Sequence, residues 1–102
     1  MRAPSPASER QDAAAGGRHL RELVIEEGHL VMASIEALKS GHNMWGYLRF
    51  KIGGRTIRRY VGRVTAPTPD ECLQLGWKLV RQLKTAEASG WMWVNKPPKA
   101  KK

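Results

Sequence analysis

Six side chains between Met44 and Val64 carry a positive charge at neutral pH: Arg49, Lys51, Arg55, Arg58, Arg59 and Arg63. No Asp or Glu lies among them. Trp45, Tyr47 and Tyr60 are interleaved with these cations. Guanidinium groups meet phosphates and the acceptor edge of guanine as planar forks, and aromatic rings stack on bases or pack on sugars. The chemistry open to this stretch is recognition of a polyanion by ion pairing and stacking. The plainer alternative for any charge run is a solvated face with no partner.

Other chemistries lack their residues. His19, His29 and His42 are scattered, and Cys72 is the single cysteine, so there is no zinc-ligand spacing and no intramolecular disulfide. The nine acidic residues form no recognisable acid/base pair. Gly53-Gly54 lacks the strand–loop–helix context of a phosphate loop. The expectation is a non-enzymatic protein with no catalytic residues, no metal and no cofactor.

The charge distribution sharpens this. Net charge is +9 over 102 residues: +6 falls in residues 44–64 and +4 in 91–102, while 19–43 carries −2. Such asymmetry implies a polyanionic partner, nucleic acid rather than membrane, because no strongly apolar helix face accompanies it. The longest apolar run, Leu30 to Ala33, is far shorter than a bilayer span, and the N-terminus lacks the apolar core of a signal peptide. A cytoplasmic protein is expected, associated with the nucleoid if it binds DNA. Its length fits one domain, small enough that a dimer or partner would add useful stability.

The elements that must position the basic residues follow from pattern. Residues 44–64 alternate, pause at Gly53-Gly54 and alternate again, the mark of a β-hairpin. With the two glycines as the turn, Ile52 faces Arg55, Lys51 faces Thr56, Phe50 faces Ile57, Arg49 faces Arg58, Leu48 faces Arg59, and Tyr47 faces Tyr60. Leu48, Phe50, Ile52, Ile57 and Val61 then share the side to bury. Tyr47, Arg49, Lys51, Arg58 and Tyr60 share the other, with Trp45 at its end. Arg49 opposite Arg58 repels unless an anion joins them or both splay into water. Arg59 falls on the apolar side, where it snorkels at a sheet edge.

Residues 1–18 are rich in Pro, Ala, Ser and Gly and read as a disordered leader. Residues 19–27 place Leu20, Leu23 and Val24 on one helical face, with Gly28 as a stop, so a short helix is expected there. Residues 29–40 fit a helix through Val31, Ile35 and Leu38. They also fit a strand with Val31, Ala33, Ile35 and Ala37 on one face and Leu30, Met32, Ser34 and Glu36 on the other. The strand is preferred, because a lone hairpin is marginal in water. Thr68-Pro69-Asp70-Glu71 opens a long helix with an N-cap hydroxyl, proline at the first position and acids at the positive dipole end. Cys72, Leu75, Gly76, Leu79, Leu83 and Ala86 form its apolar stripe; Lys78, Arg81, Gln82 and Thr85 lie opposite, and Ser89-Gly90 ends it. Trp91 or Trp93 is placed to seal the core edge. Lys96, Lys99, Lys101 and Lys102 belong to a basic disordered tail, residues 95–102, that adds non-specific phosphate affinity.

Together these give an α+β domain over residues 19–94: a short N-terminal helix, then a three-stranded antiparallel β-meander packed against a long C-terminal helix. WGYLRFKIGGRTIRRYVGRV followed by TPDECLQLGWKLVRQL resembles the small arm-binding DNA-binding domains at the N-termini of tyrosine recombinases. In those domains a three-stranded sheet backed by one helix enters the major groove. The resemblance implies base and phosphate contacts from Tyr47, Arg49, Lys51, Arg55, Arg58 and Tyr60. No recombinase catalytic domain accompanies them, which implies a stand-alone binding module. VMASIEAL preceding GYLRFKIGGRTIRRYV is also similar to small domains of phages and mobile elements. Those often carry a cysteine cluster where this chain has SGHNM.

The expected site is therefore Trp45, Tyr47, Arg49, Lys51, Arg55, Arg58, Tyr60 and Arg63, with the tail lysines accessory. Duplex DNA is the favoured partner. RNA binding through stacked unpaired bases and a protein-interaction module, such as a phage inhibitor of a host protein, are the alternatives. Six cations on phosphates correspond to a log–log salt slope of roughly −5.

Overall fold

The computed structural model describes residues 6–95. It is an α+β protein of two three-stranded antiparallel sheets and three α-helices. Helix α1 spans Pro6–Ala15, β1 Glu22–Val24, β2 Leu30–Met32, β3 Ser34–Ser40, β4 Asn43–Ile52 and β5 Arg55–Arg63. Helix α2 spans Pro69–Gln82, α3 Thr85–Ala88 and β6 Met92–Trp93. One sheet has the order β3-β4-β5, a meander; the other has the order β2-β1-β6.

The hairpin forms with the expected register, Tyr47 opposite Tyr60 through to Ile52 opposite Arg55. Gly53 and Gly54 take φ of 55° and 78°, the left-handed turn values that glycine reaches without a Cβ clash. Leu48, Phe50 and Val61 are buried on its inner face, and α2 covers them with Cys72, Trp77 and Val80. Gly76 makes the close approach possible. A Cβ there would stand 2.4 Å from Ile35 Cγ2. The Thr68 hydroxyl accepts from the Glu71 amide and caps α2, with Pro69 as first helical residue.

Segment 29–40 is extended, and the faces fall as alternation requires. Ala33 and Ile35 are buried, while Leu30 and Met32 face out. It is two strands rather than one, because the chain turns from the small sheet into the large one at Ala33. That corner is pinned where the Ala33 amide donates to the Arg21 carbonyl (2.9 Å).

Three expectations are corrected. Residues 19–27 are not a helix: a 3₁₀ turn over Arg18–Arg21 leads into β1, and a second turn covers Glu26–Gly28. Leu23 pairs with Val31 on one side and with Trp93 on the other. Pairing with β2 just downstream and with β6 some 70 residues away outweighs a weak local helical spacing.

The leader is not disordered over its described part. Residues 6–15 form α1, which lies against α2, and Ala15 is buried. Few large apolar side chains hold it; polar bonds do. The Gln11 amide donates to the Ile35 carbonyl (2.7 Å) and accepts from the Ile35 amide (3.0 Å), so one side chain satisfies part of the free edge of β3. Its oxygen also accepts from Trp77 Nε1 (3.1 Å). Arg21 is buried and donates from Nε to the Ala33 carbonyl, from one Nη to Ser8 and Asp12 of α1, and from the other to Ser34 Oγ.

The long helix ends early. After Gln82 the chain breaks at Lys84, φ 54°, before α3. Leu83, expected on the apolar stripe, is therefore 58% exposed, and Ala86 re-enters the core after the kink. Arg81, expected in water, is half-buried. It donates to the Ala15 carbonyl and lies 5.5 Å from the Trp77 ring centroid, and burial lowers its pKa. A cation on the last carbonyls of α1 is favourable to that helix.

Both candidate tryptophans seal the core. Trp91 meets Phe50 edge-on at 4.9 Å, and Trp93 lies 5.7 Å from Trp77. Asn95, placed in the tail, is held where its Nδ2 donates to the His19 carbonyl (3.0 Å). Residues 96–102, with the four tail lysines, lie outside the described residues, as do residues 1–5.

Candidate nucleic-acid interface

The outer face of β3-β4-β5 is set by pairing. Residues directly opposite in an antiparallel ladder share a face, so its rows run across three strands. Leu38, Trp45 and Arg63 make one row; Glu36, Tyr47 and Tyr60 the next; Ser34, Arg49 and Arg58 the third; Lys51 and Thr56 the last. Seven of the eight expected residues therefore lie together: Trp45, Tyr47, Arg49, Lys51, Arg58, Tyr60 and Arg63.

Arg63 reaches this face through an irregularity. Simple alternation from Tyr60 would send it inward. Between Tyr47–Tyr60 and Gly46–Gly62 the register shifts by one, leaving Val61 as the extra residue. Val61 stays in the core, as alternation from Tyr60 requires, and the bulge returns Arg63 to the outer face opposite Trp45. Gly62 takes φ 152° at the bulge. Gly46 opposite has no room for a side chain, since a Cβ would stand 2.6 Å from Val64 Cγ1.

Arg55 does not join them. It pairs with Ile52 on the opposite face and lines a small cavity with Arg59, Ile57 and Trp91. Arg59 behaves as a sheet-edge snorkeller, its guanidinium 5.1 Å from the Trp91 centroid and one Nη donating to the Arg58 carbonyl. The outer face thus holds four cations of the hairpin's six.

The three aromatics form a cluster. Tyr60 meets Tyr47 edge-on (5.6 Å, 65°) and Trp45 tilted (6.3 Å, 43°). Tyr60 is the exposed member, so its ring is the one open to solvent.

One member of the like-charge pair is compensated by an acid from the third strand. Arg58 Nε donates to Glu36 Oε1 at 2.6 Å, reaching across β4. This hydrogen bond, then the carboxylate's charge, raise the Arg58 pKa. Glu36 was legible as an outward residue of a strand at 29–40, but its neighbourhood with Arg58 follows from the order β3-β4-β5. Arg49 has no hydrogen bond or ion pair among the described residues, and its Nε–H is shielded from solvent without an acceptor.

The second sheet differs in character. On its outer face Leu30, Val24 and Met92 align in a row, with Met32 beside Glu22 in the next; Leu30, Met32 and Met92 are exposed. Among the described residues, no group of three or more His, Cys, Asp or Glu is arranged to hold a metal ion, and no helix is long and apolar enough to cross a membrane. Cys72 is buried, its Sγ 3.8 Å from the Ala66 carbonyl. No protein-family model, curated protein or solved structure matches this chain.

Proposed function

We propose that the protein is a small non-enzymatic nucleic-acid-binding module of the cytoplasm or nucleoid that meets duplex DNA with the outer face of β3-β4-β5. The observation that supports this best is the row pairing Arg49 with Arg58. Like charges opposite each other in a ladder are destabilising, and one of the two, Arg49, is left without a counter-charge among the described residues. Lys51 and Arg63 extend the positive face, and the exposed Tyr60 ring lies beside it. A ribbon of two strands about 5 Å apart fits a major groove about 12 Å wide, with arginines reaching base edges and phosphates. The tail lysines add sequence-independent affinity in this reading. The motif resemblance read from the sequence, to recombinase arm-binding domains and to domains of phages and mobile elements, supports a role as an accessory protein of such an element.

Fluorescence anisotropy of the nuclease-treated protein with labelled duplex DNA, single-stranded DNA and structured RNA tests the proposal. Preference for duplex at near-physiological salt supports it. Preference for RNA would move the role to ribonucleoprotein binding.

A second reading is favoured by the exposed apolar row Leu30–Val24–Met92. In that reading the module contacts a protein through its small sheet, either a host protein or a second copy of itself. A pull-down that survives nuclease treatment and is lost in Met92→Glu would favour this role, as would absence of binding to all three nucleic acids.

A further inference from the structure

Arg49 lines a recess between α1 and the β3–β4 face, about 280 Å³ in volume, together with Ala7, Ser8, Gln11, Arg21, Ser34 and Glu36. The recess is several times the ~30 Å³ of a liquid water, so it admits a group larger than solvent. Its charges are nearly all spoken for. Arg21 is paired with Asp12, and Glu36 with Arg58. Arg49 is the exception: among the described residues its guanidinium has no ion pair, and its Nε–H is shielded and has no acceptor. A buried donor without a partner costs free energy and calls for an explanation. The hydroxyl of Ser34 accepts from Arg21 (3.0 Å) and so keeps its own hydrogen to donate. A planar cation beside a hydroxyl donor in a recess suits one tetrahedral oxyanion. The compensated Glu36 carboxylate in the wall leaves room for a single added negative charge.

We infer that this recess seats one phosphate of the nucleic-acid backbone, held by Arg49 and Ser34, with α1 as its outer wall. The inference rests on the interface reading above and adds to it. The N-terminal helix becomes part of the binding surface, and the phosphate beside β3 fixes how the strands lie in the groove. Phosphate contacts set register and orientation rather than sequence. Arg49 then acts as a positioning contact, distinct from the freely exposed Lys51 and Arg63.

The test follows the arginine Nε–Hε signals of the ¹⁵N-labelled full chain by NMR. One titration uses inorganic phosphate against chloride at matched ionic strength, and the other uses a short duplex DNA. The expected result is a saturable shift of the Arg49 signal in both titrations, with the Arg55 signal unmoved by phosphate. Ser34→Ala weakens phosphate binding about three- to tenfold, the worth of one hydrogen bond. Arg49→Lys keeps the charge but loses the fork, and weakens it comparably or more. Equal movement of all arginine signals, or none at Arg49, overturns the recess as a site. Duplex binding that shifts the Arg58 and Arg63 signals but leaves Arg49 unmoved overturns the recess and removes Arg49 from the interface, leaving the remaining outer cations to carry it. Saturable phosphate binding without duplex binding overturns the interface reading and keeps an anion site for free phosphate.

Discussion

Helices α1 and α2 dock on one another and on the same sheet by opposite means. Helix α2 buries Cys72, Gly76, Trp77 and Val80 against the inner face of β3-β4-β5, and apolar burial of this kind contributes on the order of 1.5–3 kcal/mol per large side chain. Helix α1 has a single buried residue, Ala15. It is held by Gln11 on the β3 edge and on Trp77, by the Arg21 guanidinium on Ser8 and Asp12, and by Arg81 on its last carbonyl. Apolar docking is non-directional and tolerates small changes. A polar dock is directional, and losing one partner strands others in a dry place. One side of the fold should therefore fail gradually and the other abruptly.

The largest effect is expected at Arg21. Arg21→Met removes the cation of a buried pair and leaves Asp12 without its counter-charge. The side chain of Arg21 is 5% exposed and that of Asp12 22%. Breaking a buried pair costs roughly 3–5 kcal/mol, and the residual exposure of Asp12 points to the lower end. The urea midpoint should fall accordingly; an unchanged midpoint would mean that α1 is not docked through Arg21. Gln11→Ala comes next, at about 2 kcal/mol, because the Ile35 amide and Trp77 Nε1 lose their shared acceptor. Hydrogen exchange at the Ile35 amide should quicken in this variant while the β4–β5 amides keep their protection.

Smaller effects are expected on the apolar side. Gly76→Ala gains about 1 kcal/mol of helix propensity, but its Cβ meets buried Ile35 at 2.4 Å, and overpacking costs about 1–3 kcal/mol. A net loss of about 1 kcal/mol is predicted in denaturant unfolding; a gain would show that the helix-to-sheet gap is loose. Thr68→Ala, which removes the cap of α2, should cost about 0.5–1 kcal/mol with α1 undisturbed.

The same contrast explains what could be read from the chain. Gly53-Gly54 between alternating runs specified the hairpin and its register, and Thr68-Pro69 specified the start of α2, because turn and cap chemistry is local. Helix α1 was invisible. Its stabilising partners are Ile35, Arg21 and Trp77, and a segment of Pro, Ala, Ser and polar residues carries no apolar stripe to announce them. Strand β1 was hidden for a related reason, since its partners in β6 lie near the other end of the chain. At the candidate interface the face of Arg49 and Arg58 followed from alternation. The placement of Arg63 did not, because a bulge at Val61 reverses it. Arg55 was grouped by charge with residues whose face it does not share, although its pairing with Ile52 already argued against this. Glu36 could be joined to Arg58 only once β3 was known to lie at the edge beside β4.

In the proposed function, one face of the hairpin, rather than its total charge, binds duplex DNA. The most direct measurement compares the salt dependence of duplex binding for Arg49→Ala/Arg58→Ala and for Arg55→Ala/Arg59→Ala, with circular dichroism confirming that both fold. Each pair removes two charges from the same hairpin, from opposite faces. With four outer cations on phosphates the wild-type log–log slope should be about −3 to −4, before any contribution of the tail. The first pair should flatten it by about 2 and weaken binding sharply, while the second should leave it nearly unchanged. Equal losses in the two pairs would contradict the claim and reduce the interaction to bulk charge.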